Sequence, residues 1–150
     1  MSQGKRVDLT TLPPEQIVEF NRQVRSEISH LENSMRALYT AKAKFGECIS
    51  SVDKVVDSKG QQMLVPLTSS LYVPGKVKED KKFLVDVGTG YFVEKDAKDA
   101  KSFFSARIQK LESDAQELNK LLVEKDQLSR RINDILRQKI MDQENANVAS

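Results

Sequence analysis

The chain has 150 residues, of which 39% are hydrophobic, 31% charged and 6% aromatic, with no tryptophan and a formal net charge of +2. That length suits one domain, and the charge-rich, aromatic-poor balance suits exposed long helices better than a compact globule. Lys and Arg alternate with Asp and Glu near neutrality, which excludes the electrostatic footprint of a nucleic-acid binder.

In chain order, residues 1–11 read as a flexible lead. Thr11-Leu12-Pro13-Pro14-Glu15 has the pattern of a helix start: a threonine at or near the N-cap, proline in the first turn, an acid soon after. A first helix is expected over 13–57. Within it Ile17, Val24, Leu31, Leu38, Phe45 and Val52 recur every seven residues, and Phe20, Ile28, Met35, Ala41, Cys48 and Val55 follow them by three or four. This a/d seam is long enough to specify a coiled coil. Gly46 interrupts it at a cost of about 1 kcal/mol against Ala and suggests slight bending or close packing. Ser58-Lys59-Gly60 supplies the stop.

Residues 61–95 are the only β-prone stretch and hold one pattern twice, at an offset of twenty. Leu64-Val65-Pro66-Leu67-Thr68-Ser69-Ser70-Leu71-Tyr72-Val73 aligns with Leu84-Val85-Asp86-Val87-Gly88-Thr89-Gly90-Tyr91-Phe92-Val93. Each copy predicts a hairpin with a three-residue loop, and Glu79-Asp80-Lys81-Lys82 forms a polar connection between them. A second helix is expected over 96–143, capped by Asp96 or a neighbour. Its stripe runs through Phe104, Ile108, Leu111, Ala115, Leu118 and Leu122, then Leu121, Leu128, Ile132, Ile135 and Leu136. Lys125 and Lys139 sit on or beside that stripe, and 144–150 reads as a disordered tail.

The hairpins join the end of one helix to the start of the other, so the economical arrangement is an antiparallel two-helix coiled coil. With Val55 near Lys98, heptad bookkeeping sets Phe45 opposite Ile108, Leu31 opposite Leu122 and Ile17 opposite Leu136. Two hairpins are marginal on their own, yet these carry a dense apolar set. Leu64, Val65, Leu67, Leu71, Tyr72, Val73, Phe83, Val85, Val87, Tyr91, Phe92 and Val93 are therefore the expected subunit-assembly residues, with Val77 and Leu84 alongside. Uncovered apolar surface and open strand edges mark association sites.

Chemistry is scarce. His30 is the only histidine and reads as part of a solvated helix face, and Cys48 reads as a small core residue with no histidine to activate it. Gly88-Thr89-Gly90 has no following GK[ST] and reads as a turn, and no Cys/His cluster suggests zinc. Neither catalysis nor a cofactor is expected. No apolar run approaches the roughly 20 residues of a membrane span, residues 1–12 have no apolar core of the signal-peptide kind, and a lone cysteine fits a reducing compartment. Phe103-Phe104 is expected to pack against the hairpins. Leu12, Ile17, Phe20, Ile132, Leu136 and Ile140 either complete the seam or, if the helix ends open, present apolar surface to clients.

The run Leu64 to Lys76, the run Val85 to Lys95 and the segment Ala97 to Phe104 resemble the alpha class of prefoldin subunits. The likeness covers almost the whole chain between its two end segments. The double hairpin is its specific part, since beta-class subunits have a single one. The resemblance implies a hexamer of one further alpha-class and four beta-class subunits beside this chain, with the hairpins in a double β-barrel platform and the coiled coils hanging from it. It also implies an ATP-independent co-chaperone that captures unfolded actin, tubulin and other polypeptides at the coiled-coil tips and passes them to the cytosolic group II chaperonin. A cytoplasmic location is expected, with a nuclear pool left open. The rival reading is a coiled-coil scaffold or adaptor in a hetero-oligomer, without client activity.

Overall fold

A computed structural model of the chain describes residues 9, 11–78 and 82–148. Most of the expected lead, residues 79–81 of the polar connection and the last two residues of the tail lie outside the described residues. The chain is mainly α, in the order α1 (Pro14–Asp57), β1 (Gln62–Pro66), β2 (Tyr72–Lys76), β3 (Lys82–Gly88), β4 (Tyr91–Asp96) and α2 (Ala97–Val148). It divides into a helix-only unit, Met1–Ala37 with Ala115–Ser150, and a hairpin unit, Leu38–Asp114.

α1 begins with Pro14, whose fixed φ suits the first helical position and whose missing N–H costs nothing there. The Pro13 carbonyl accepts from the N–H groups of Gln16 and Ile17 at 3.1 and 3.2 Å, so the N-cap place falls to Pro13 instead of a threonine. The helix ends at Asp57 as expected, with the Ser58 N–H reaching the Lys54 carbonyl at 3.0 Å and Gly60 at φ +71°. A Cβ on Gly46 would meet no atom within 4 Å, so close packing does not account for that glycine. α2 is capped by Asp96, whose Oδ1 accepts from the Asp99 N–H at 2.7 Å. It continues through Val148, so residues 144–148 are helical where an irregular tail was expected. That segment contains no Gly or Pro to break a helix.

In the helix-only unit, Ile17, Val24 and Ile132 form the buried core, with Ile28, Leu128, Ile135 and Leu136 packed against them. Each such side chain contributes about 1.5–3 kcal/mol on burial. In the hairpin unit, Val52, Val85 and Ala100 are the core, surrounded by Val56, Phe83, Ala97, Phe103 and Phe104. Ion pairs run antiparallel within each unit: Lys125 with Glu27 in the first, Lys101 with Asp53 and Lys42 with Glu112 in the second. Phe45 stacks on Phe104 with centroids 6.0 Å apart, one helical turn before the Ile108 expected opposite it.

The four strands make two separate two-stranded antiparallel sheets, β1–β2 and β3–β4. Val65 pairs with Val73 and Val85 with Val93, so the offset of twenty in sequence is a repeat in structure. The first loop is closed by the Leu67 N–H donating to the Leu71 carbonyl at 2.9 Å, which leaves Thr68-Ser69-Ser70 as its three residues. The Thr68 hydroxyl accepts from the Leu71 N–H at 3.1 Å. The second loop differs from the expected three residues. Gly88 pairs with Tyr91, a register shift falls between Asp86 and Gly88, and only Thr89-Gly90 remain, both at positive φ. That is the geometry of a two-residue turn matched to strand twist, and its φ values are cheap for Gly90.

Candidate functional site

Among the described residues, no group of three or more His, Cys, Asp or Glu is placed to hold a metal ion. Cys48 is a half-buried free thiol. The His30 carbonyl accepts from the Ser34 hydroxyl at 3.0 Å within the helix, and Gly88-Thr89-Gly90 makes the second hairpin turn. No described helix is long and apolar enough to cross a membrane. What the molecule offers is surface.

The first candidate surface lies on the hairpins. Leu64, Val65, Leu67, Leu71, Tyr72, Tyr91, Phe92 and Val93 are exposed, with Leu64 at 67% and Tyr91 at 73%; Val73 and Val87 are half-buried. Two of the expected assembly residues belong elsewhere. Val85 is buried in this chain's own core and Phe83 packs against it. The reason is the period of two in β3, where Phe83, Val85 and Val87 alternate with the exposed Lys82, Leu84 and Asp86. One face is spent on the helices, so Leu84, 73% exposed on the other, takes the place expected for Val85. β1 is exposed at every position; neither of its faces is covered.

Phe103 and Phe104 brace the second hairpin, as expected from their place at the helix start. Their rings meet edge to face at 5.6 Å. The Arg107 guanidinium and the Lys95 ammonium lie 5.2 and 5.8 Å from the Phe103 centroid, and such cation–π contacts add modestly at exposed sites. Beside them, Phe45, Leu84, Phe92 and Leu111 line a groove of about 840 Å³.

The second candidate surface lies where the N-terminal part of α1 meets the C-terminal part of α2. Ile17 and Ile132 are 0% exposed. Of the two readings open for them, seam or client contact, both take the first and close the seam. Leu12 and Leu136 are half-buried, while Phe20 and Ile140 remain exposed. Leu9, Leu12, Phe20 and Leu128 line a groove of about 500 Å³.

A polar layer unforeseen in the sequence interrupts the seam here. Asn21 is buried, and its Nδ2 donates to Asn133 Oδ1 at 2.7 Å; the buried Ser129 hydroxyl donates to Asn21 Oδ1 at 3.3 Å. A buried amide layer of this kind fixes register in coiled coils at a cost in stability. Its signal was available: Ile28 and Met35 each follow a seam residue by four, and the same step from Ile17 lands on Asn21, one place past Phe20. The two lysines that spoil the stripe of α2 are accommodated at its margin. Lys125 pairs with Glu27, and the Lys139 ammonium donates to the Leu12 carbonyl at 2.6 Å.

Residues 24–142 match the Prefoldin subunit family. The chain is 42% identical over 143 residues to "Probable prefoldin subunit 5" of Schizosaccharomyces pombe, covering 93% of each chain. It is 36% identical over 140 residues to "Prefoldin subunit 5" of Homo sapiens, covering 91% of this chain and 90% of that one. In three dimensions it is similar to a chain of filamentous PFD from Methanocaldococcus jannaschii, solved by cryo-EM, with a TM-score of 0.66 and 22% identity over 83% of this chain and 98% of that one; this last likeness concerns the fold. Two long helices, a doubled hairpin that leaves much of its apolar surface bare, and a family match spanning most of the sequence converge: the chain belongs to the prefoldin subunit family.

Proposed function

We propose that this chain is the subunit-5 type, alpha-class member of a hexameric prefoldin. In this reading it works beside one further alpha-class and four beta-class subunits in the cytoplasm. The exposed hairpin residues enter a shared β-barrel platform. Phe20, Ile140 and the half-buried Leu12 and Leu136 contact unfolded polypeptides such as actin and tubulin, which then pass to the cytosolic group II chaperonin. The observation that carries the reading is the uncovered apolar surface of two sheets that do not pair with each other, in a chain of this family. Isolated hairpins need partners, and exposed apolar surface of this kind marks association.

No nucleotide chemistry is required. A client gains burial at several weakly binding helix ends held in one assembly, and linkage turns weak contacts into avidity. The test reconstitutes the complex and measures light scattering of denatured actin on dilution. The double variant Phe20→Ser/Ile140→Ser is expected to assemble normally and to suppress aggregation less. A complex that assembles but never suppresses aggregation, wild type included, identifies a scaffold and overturns the co-chaperone reading for this chain.

A further inference from the structure

We propose that Leu9 and Leu12, ahead of α1, form a cover over the end of the helix seam, latched by Lys139, which a client must lift to reach the apolar side chains beneath. The proposal deepens the client reading above and rests on it. Its origin is Pro13-Pro14. A proline disfavours helical φ/ψ in the residue before it, so Leu12 and Pro13 are kept out of the helix. α1 therefore starts at Pro14, while α2 runs on to Val148. The chain ahead of α1 turns back beside the seam instead of following α2 to its end. Leu9 lines a groove of about 500 Å³ with Gln16, Phe20 and Gln23 of α1 and Leu128 of α2. Both leucines pack against the cluster of Ile17, Val24 and Ile132.

Leu12 has a local reason for its place. With Pro13 at the N-cap, Leu12 precedes the cap and Ile17 is the fourth helical residue, the pair that forms a hydrophobic staple. Leu9 and Lys139 lie outside that motif. Lys139 is half-buried on α2, and its ammonium donates to the Leu12 carbonyl at 2.6 Å. That bond ties the chain ahead of one helix to the far end of the other. The cover it holds is shallow. Leu9 and Leu12 are only half-buried, and the entropy lost in ordering the chain ahead of a helix is barely offset by two partly buried leucines. A ligand that buries more of the same surface shifts such a balance in its own favour. A client segment carrying an aliphatic or aromatic side chain does so by replacing Leu9 against Phe20 and Leu128. The lifted Leu12 is then free to meet the client as well.

The test places a photoreactive side chain on the exposed rim of the groove, as Gln23→p-benzoylphenylalanine in the reconstituted complex. Without client it is expected to cross-link to the chain ahead of α1, and with denatured actin to the client. Leu9→Ser and Lys139→Met, each added to that chain, are expected to raise the client cross-link about three- to tenfold. That is the gain from opening a site covered in roughly 70–90% of molecules. Lys139→Arg keeps a donor and is expected to stay near wild type. Unchanged amide protection at Ile132 shows that the seam is intact, and a gain that comes with lost protection there overturns the proposal. A client cross-link that falls in Leu9→Ser and Lys139→Met makes the two leucines a wall of the client site. One that does not change makes them a helix cap alone. Either result overturns the cover while the client reading stands. No client cross-link in any version, from position 23 or from the same substitution at Ile140, overturns the client reading and this proposal with it.

Discussion

In the helix-only unit Ile17 and Ile132 lose all contact with water, whereas in the hairpin unit Leu64, Leu84 and Tyr91 keep more than half of theirs. Both units spend apolar residues freely, and the difference lies in what each residue faces. A helix of the first unit meets a second helix of the same chain along a matched stripe, so the pair covers its own seam. A two-stranded sheet has two faces and two edges, and the helices of the hairpin unit cover one face of one sheet. The contrast teaches that an apolar residue marks an interface only once its own chain has failed to bury it. Val85 and Leu84 are adjacent, equally apolar and opposite in fate.

Truncation inside the covered seam is the strongest way to break this comparison. Ile132→Ala is expected to lower unfolding free energy by about 2–5 kcal/mol through lost burial and an unfilled cavity. Denaturant titration of the free chain measures it, and a loss below about 1 kcal/mol would mean that the seam is not closed in solution. The polar layer comes next. Asn21→Ala leaves the buried Ser129 hydroxyl and the half-buried Asn133 amide without their partner and is expected to cost about 1–3 kcal/mol. The triple variant Asn21→Leu/Ser129→Ala/Asn133→Leu is expected to recover most of that loss, because removing all three polar groups leaves none of them stranded. The smallest effect sharpens the comparison from the other side. Leu84→Ala is expected to change the stability of the free chain by no more than about 0.5 kcal/mol, yet to reduce incorporation into the complex measured by native mass. A large loss in the free chain would show that Leu84 is covered after all.

Much of this was legible before any coordinates. Both helices, their order around the hairpins, the Asp96 cap and the stop at Asp57 follow from seven-residue recurrence and from ordinary start and stop residues. The first hairpin loop follows from Thr68-Ser69-Ser70 between two β-prone runs. The second was one residue too long in the reading, because a bulge at Val87 absorbs a position without leaving a mark in composition. Asn21 was passed over for Phe20 because an apolar residue stood one place away, although the four-residue step to Ile28 and Met35 favoured the asparagine. The far end of α2 was cut short because polarity was read as disorder, and polar residues without Gly or Pro extend a helix readily.

By itself the sequence determined which segments are helix and which are strand, because the period of apolar residues and the placement of turn formers are local quantities. It determined the doubled hairpin as well, since the repeat is written in residue types twenty positions apart. Only the tertiary structure decided which apolar residues stay bare. Burial depends on which face a partner element covers, and for Val85 against Leu84, or Asn21 against Phe20, that is a matter of one residue of rotation between segments distant in the chain.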